Sequence, residues 1–259
     1  FKNKNIWTHL YSFAFSGYVA VGPMIGWWTF TIRADLWAMA LEIIAVAIFL
    51  KHYRSRPIAA VLLFALLCYA AWSFKQINVY AVGAAGLFLL LNRDWKTLFT
   101  LSGVMISLWT ATLLIGGPLY REAILFSDFT IIFAASQGAF NLSSLATKTT
   151  PSLTVLAALL LTYVLLPEKR RTLTGNDGVV LACCGIFVSA LMAIPASFQT
   201  GAGDNYYFTL SFFMALAVVA GTAALMHGGR LPTLIAPASI LGWTIHIIAI
   251  LMVLGGYKG

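Results

Sequence analysis

Residues 51–75 read KHYRSRPIAAVLLFALLCYAAWSFK. Lys51, Arg54 and Arg56 crowd one short loop, residues 57–74 follow without a charged side chain, and Lys75 closes the run. An uncharged apolar stretch of that length is close to the roughly 20 residues a helix needs to cross the hydrocarbon core of a bilayer. The basic loop before it is the usual mark of a cytoplasmic connection.

The same alternation extends in both directions. Apolar runs at roughly 10–31, 35–51, 57–74, 77–92, 97–117, 151–167, 178–196, 207–226 and 233–254 predict an all-α, polytopic transmembrane bundle of about nine spans. Composition agrees: 61% of the chain is hydrophobic and only 9% is charged, against roughly a quarter charged in a soluble domain. The whole chain therefore reads as one transmembrane domain.

The loops set the expected orientation. With the N-terminus of this segment in the cytoplasm, one side receives Lys2, Lys4, Lys51, Arg54, Arg56, Arg93, Lys96, Lys169, Arg170, Arg171 and Arg230. The other receives Arg33, Lys75, Arg121, Lys148 and Lys258. That is eleven of the sixteen basic residues against five, as the positive-inside rule requires. The formal charge of +8 is thus a topology signal, and nucleic acid is not an expected partner. The longest outer segment, 118–150, mixes apolar and polar residues and is expected to lie in the interface as short amphipathic helices. Pro118 and Pro151 bracket it, where helices are expected to stop and start.

Polar residues inside or beside the apolar runs are the candidates for chemistry. Arg33 and Asp35 stand at the outer junction of the first two spans, either as an interfacial ion pair or facing a polar cavity. Asp35 also suits a helix N-terminus, where the dipole favours a carboxylate. Glu42 lies seven residues on, on the same helix face. An acid at that depth must be paired, protonated or lining a cavity. Lys75 either snorkels to the interface or meets an anion as a compact point charge, with Gln76 and Asn78 adding polarity beside it. The segment 199–208, QTGAGDNYYF, places two glycines before a helix opening on Asp204, Asn205, Tyr206 and Tyr207. Tyrosines there serve an aromatic belt or donate to a phosphate at a helix N-terminus.

Other chemistries lack their residues. Cys68, Cys183 and Cys184 fall in apolar runs and read as small helix residues. No His, Cys and carboxylate group has zinc spacing, so no metal site is expected. His9, His52, His227 and His246 are scattered. The glycines of 201–203 follow no strand and precede no Gly-Lys-Ser, so no nucleotide loop is present. There is no Gly-x-Ser-x-Gly elbow. No repeat or pair of broken helices suggests a transporter, which stands third among the readings.

Three segments, taken in order, resemble a known family. They are 27–38 (WWTFTIRADLWA), 71–76 (AWSFKQ) and 201–208 (GAGDNYYF). Together they are similar to bacterial membrane glycosyltransferases of the C-type (GT-C) superfold, near the protein O-mannosyltransferases and aminoarabinose transferases. Those proteins often show Arg-Pro-Asp-Leu-Leu-Ala opening a helix, Thr-Lys-Gln ending the next hairpin, and Gly-Ala/Ser-x-x-Asn-Tyr-Phe opening a late helix. Here Ala34 replaces the proline, and Ser73-Phe74 departs from the threonine before Lys75.

The resemblance implies a sugar taken from a polyprenyl-phosphate donor and passed to a glycan, lipid or protein acceptor. The reaction would occur at the outer face of a bacterial cytoplasmic membrane. It implies Arg33, Lys75, Asn205 and Tyr206 at the donor phosphate. Asp35 becomes a supporting acid, and Glu42, Gln76, Asp204 and Tyr207 join the polar network of the cavity. It places the catalytic acid in an outer loop ahead of Phe1, so the segment is expected to belong to a longer chain. No cofactor is firmly expected, a divalent cation being the one left open. The leading alternative is a non-catalytic membrane subunit with protein partners.

Overall fold

The computed structural model describes residues 4–21, 24, 34–75, 78–125, 133–200, 202–226, 241–245, 247, 248 and 252. Ten α-helices are defined among them: α1 Lys4–Val21, α2 Ala34–His52, α3 Pro57–Phe74, α4 Tyr80–Leu91, α5 Trp95–Ile115, α6 Gly117–Leu125, α7 Ala135–Leu165, α8 Pro167–Thr174, α9 Asp177–Ala196 and α10 Phe208–Met226. A 3-10 turn, Asp204–Tyr207, leads into α10. The described residues form no named strand, only one isolated bridge between Phe133 and Gln199.

Among the described residues, five helical segments are long and apolar enough to cross a membrane: Pro57–Phe74, Trp95–Ile115, Ala135–Leu165, Asp177–Ala196 and Asn205–Leu225. A backbone placed in lipid must satisfy its own hydrogen bonds, and the helix does so residue by residue. α2 has the length but carries Asp35, Glu42 and Lys51. α4 has only twelve residues, about 18 Å of helix, which is short of the roughly 30 Å hydrocarbon core. The apolar runs expected at 10–31 and 233–254 lie partly outside the described residues.

The largest difference from expectation concerns residues 118–150. α6 is a short helix there, but residues 135–150 form no separate short helix. Ala135–Leu165 is one helix of 31 residues, and Pro151, expected to start a helix, lies inside it. Lys148, expected in an outer loop, is within the same helix. A proline at 151 removes the N–H that would reach the carbonyl of Thr147. The Thr150 hydroxyl lies 3.1 Å from that carbonyl and 2.9 Å from Ala146 O, so a side chain supplies the donor the backbone lost. Thr147, Thr149 and Thr154 likewise donate to carbonyls four residues earlier. Their hydroxyls are thereby hidden from lipid, and a polar stretch can continue as helix.

α10 is the central helix, with 78% of its apolar window buried, whereas α5 is peripheral at 11%. One aromatic core cluster joins Phe49, Phe64, Phe88 and Phe213 from α2, α3, α4 and α10. Gly185 lets α9 approach α10 closely, since a Cβ there would fall 2.2 Å from the Phe213 ring. A second cluster, containing Met24, Met39, Ala193, Tyr207, Phe208 and Met214, lies nearer the opposite end.

The bundle has two unlike ends. At the C-terminal end of α2 the basic loops gather. Arg54 forks onto Asp177 at 2.5 and 2.6 Å, and Arg170 donates to the carbonyls of Tyr163 and Val164. The Tyr53 hydroxyl donates to Asp94 at 3.0 Å. Asp94 also caps α5 by accepting from the Thr97 N–H. Burial alone would raise the Asp94 carboxyl, but the Thr97 hydroxyl and N–H, Tyr53 and Lys96 outweigh it and hold the group below its ordinary value. A lowered native value means stabilisation present above about pH 4, lost as pH falls through the native value. Asp94→Ala is therefore expected to lower stability by about 1–2 kcal/mol, the usual worth of such a cap. It should also flatten the acid limb of a thermal-unfolding series in detergent. An acid limb unchanged by the substitution would remove this role.

Candidate functional site

At the other end of α2, three sequence-distant segments converge. Asp35 stands in the first turn of α2 and is 7% exposed. Lys75 follows the last residue of α3, and its ammonium donates to Asp35 Oδ1. Asn205, in the 3-10 turn before α10, donates from Nδ2 to the same oxygen at 3.1 Å. The Lys75 ammonium lies 5.4 Å from the centre of the Tyr206 ring, within cation–π range. An ammonium, an amide and an aromatic ring are thus held around one carboxylate.

The backbone turns explain how the side chains reach this point. The Asn78 N–H closes a turn onto the Lys75 carbonyl at 2.9 Å, which ties Lys75 to the chain entering α4. Ser197 and Ala202 are strapped to α7. Asn141 Nδ2 donates to the carbonyls of Ser197 at 2.8 Å and Ala202 at 3.3 Å, and Gln137 Nε2 donates to Ala202 O at 2.9 Å. The Phe133 and Phe198 rings stack 5.2 Å apart. Gly138 makes room for that contact, since a Cβ there would sit 2.1 Å from the Phe198 ring. The strap fixes the point from which Asn205 and Tyr206 begin.

Glu42 lies below this group and is 1% exposed. Three donors reach its carboxylate: Thr209 Oγ1 at 2.8 Å, the Ala81 N–H at 3.2 Å and Asn78 Nδ2 at 3.4 Å. The Ala81 N–H is one of the unpaired donors at the start of α4, so a side chain from α2 caps α4. Asn78 belongs to the turn that carries Lys75, and Thr209 follows the segment that carries Asn205 and Tyr206. Glu42 therefore binds together the three pieces of chain that build the site.

Of the residues singled out from sequence, Asp35, Lys75, Asn205 and Tyr206 come together, with Glu42 beneath them. Tyr207 is fully buried and packs in the cluster with Met39 and Phe208. Arg33 and Gln76 lie outside the described residues, as does the side chain of Asp204. No group of three or more potential metal ligands is present among the described residues. Sequence reasoning passed over Gln137 and Asn141, because their stretch read as an interfacial segment. Their spacing of four residues on a helix face was the signal. It also passed over Tyr80, Thr209 and the anchoring part of Asn78.

The chain matches no family model, no curated protein and no solved structure.

Proposed function

We propose that this chain is a C-type membrane glycosyltransferase that takes a sugar from a polyprenyl-phosphate carrier. The Lys75, Asp35, Asn205 and Tyr206 group would form the phosphate-holding part of its site. Transfer breaks the bond between the anomeric carbon and the carrier phosphate and forms a bond from that carbon to an acceptor hydroxyl. The acceptor loses its proton, and the carrier departs as a polyprenyl phosphate. Negative charge grows on the departing phosphate, so a preorganised cation beside it favours the transition state over the ground state.

The observation that carries this reading is the placement of Lys75. Its ammonium is held by Asp35 over the Tyr206 ring beside Asn205. Asp35 compensates the lysine while the site is empty, and an arriving phosphate takes over part of that role. The order of the three motifs and the shared end of the bundle support the same reading. The basic loops gather at the opposite end, which supports placing the site at the outer face of a bacterial cytoplasmic membrane. In this reading the bundle crosses the membrane about nine times, with the N-terminus of this segment cytoplasmic. The acceptor would be a glycan, lipid or protein.

Reconstituted in proteoliposomes with a labelled polyprenyl-phosphate sugar and an envelope extract, the protein should move label to the extract and leave unglycosylated carrier. Label movement no greater than in empty vesicles would overturn the proposal.

A further inference from the structure

Tyr80 opens α4 and is 3% exposed. Its hydroxyl is buried and has no hydrogen-bond partner among the described residues. Buried hydroxyls are normally paired, and the exceptions call for an explanation. Trp109, Ser189 and Thr222 also carry buried unpaired polar atoms. Tyr80 differs in its place in the chain: it stands between the Lys75–Asn78 turn and Ala81, whose N–H donates to Glu42.

The nearby acceptors are already engaged. Glu42 receives three donors, and Asp35 receives Lys75 and Asn205. An ammonium brings three N–H groups, an amide two and a phenol one. The Tyr80 phenol therefore has a hydrogen to give and, among the described residues, no acceptor in place. A group that carries acceptor oxygens and negative charge would suit both this hydroxyl and the Lys75 ammonium.

We propose that Tyr80 is a further ligand-binding residue, donating its hydroxyl hydrogen to a phosphate oxygen at the floor of the site. This inference rests on the function proposed above. In this arrangement Lys75, Asn205 and Tyr206 form the rim, and the Tyr80 hydroxyl is buried away from solvent. Lys75 must turn from Asp35 toward the arriving anion before that oxygen reaches Tyr80. The hydroxyl is thus an uncompensated donor in the empty protein and a charge-assisted one in the loaded protein.

The test uses the full chain in detergent, with farnesyl phosphate as the probe and farnesol and inorganic phosphate as controls. Wild-type protein should be thermally stabilised by farnesyl phosphate and not by farnesol. A response to inorganic phosphate as well supports recognition through the phosphate. Tyr80→Phe should unfold at the same or a higher temperature without ligand, because an unpaired donor has been removed. Its affinity for farnesyl phosphate should fall about tenfold or more, as expected for a lost hydrogen bond to a charged group. Unchanged affinity in Tyr80→Phe, with affinity lost in Lys75→Gln, would overturn the role of Tyr80 and leave the proposed function standing. A markedly less stable empty Tyr80→Phe would show that the hydroxyl is already bonded and would also overturn it. Equal stabilisation by farnesol, or no response of the wild type to farnesyl phosphate, would overturn both.

Discussion

Lys75→Ala is expected to abolish sugar transfer while the protein still inserts, folds and accumulates. The predicted loss in kcat is about 10²–10³-fold, the range seen when a preorganised donor to a developing oxyanion is removed. Folding should survive because Lys75 lies beyond the end of α3 and is part-exposed. Its removal leaves Asp35 with Asn205 as a remaining donor. Lys75→Arg tests whether charge alone suffices. A guanidinium is planar and larger than an ammonium, and it must fit between Asp35 and the Tyr206 ring. Partial activity would point to charge, and none to position. The measurement is single-turnover transfer in vesicles, alongside thermal unfolding to show that the variants are folded. Full-rate transfer by Lys75→Ala would remove the cluster from the chemistry.

Asp35 is the residue that the rim groups share. It accepts from both Lys75 and Asn205, so it orients two rim residues from different segments. In the proposed reaction that engagement would make it a positioning residue rather than a free base. Its place in the first turn of α2 adds a second reason for the carboxylate, since the helix dipole favours negative charge there.

The convergence of Asp35, Lys75 and Asn205 was legible because topology constrains depth. Alternating spans assign each loop to a side, and basic loops identify that side. Residues 40 and 170 positions apart could then be placed at one end without any knowledge of packing. What topology leaves open is the lateral arrangement of helices. The sharing of one Asp35 oxygen and the joining of three segments by Glu42 depend on that arrangement. The misreading of Pro151 has a different cause. Counting apolar runs treats threonine and serine as loop residues. In α7 their hydroxyls bond to carbonyls of the preceding turn, so the chain remains helical through a polar stretch. Tyr80 was hidden for a third reason. A tyrosine at the edge of an apolar run looks like part of an interfacial belt, and only packing reveals that its hydroxyl is buried and unpaired.

Glu42→Ala is expected to have the largest effect on stability, a loss of about 3–5 kcal/mol, which would prevent accumulation of a marginal membrane protein. The alanine would leave the Ala81 N–H, the Asn78 amide and the Thr209 hydroxyl buried with no acceptor. Each stranded donor costs about 1–3 kcal/mol, partly recovered by relaxation or by entry of water. Glu42→Gln is the more informative change because it preserves shape. The Thr209 hydroxyl can reverse and accept from the new NH2 group, whereas the Ala81 N–H and the Asn78 amide nitrogen can only donate. Glutamine has one oxygen for those two donors, so an intermediate loss of stability is expected. Because Asn78 lies in the Lys75 turn and Thr209 follows Tyr206, the loss should reach the site. Surviving Glu42→Gln protein should bind farnesyl phosphate more weakly although Glu42 itself lies beneath the rim. Measuring unfolding temperature and farnesyl phosphate affinity in the same detergent tests both consequences. Wild-type stability in Glu42→Gln would mean that one oxygen serves both the Ala81 N–H and the Asn78 amide while Thr209 accepts from the new NH2 group. Wild-type affinity with lowered stability would separate the joining of the segments from the geometry of the rim.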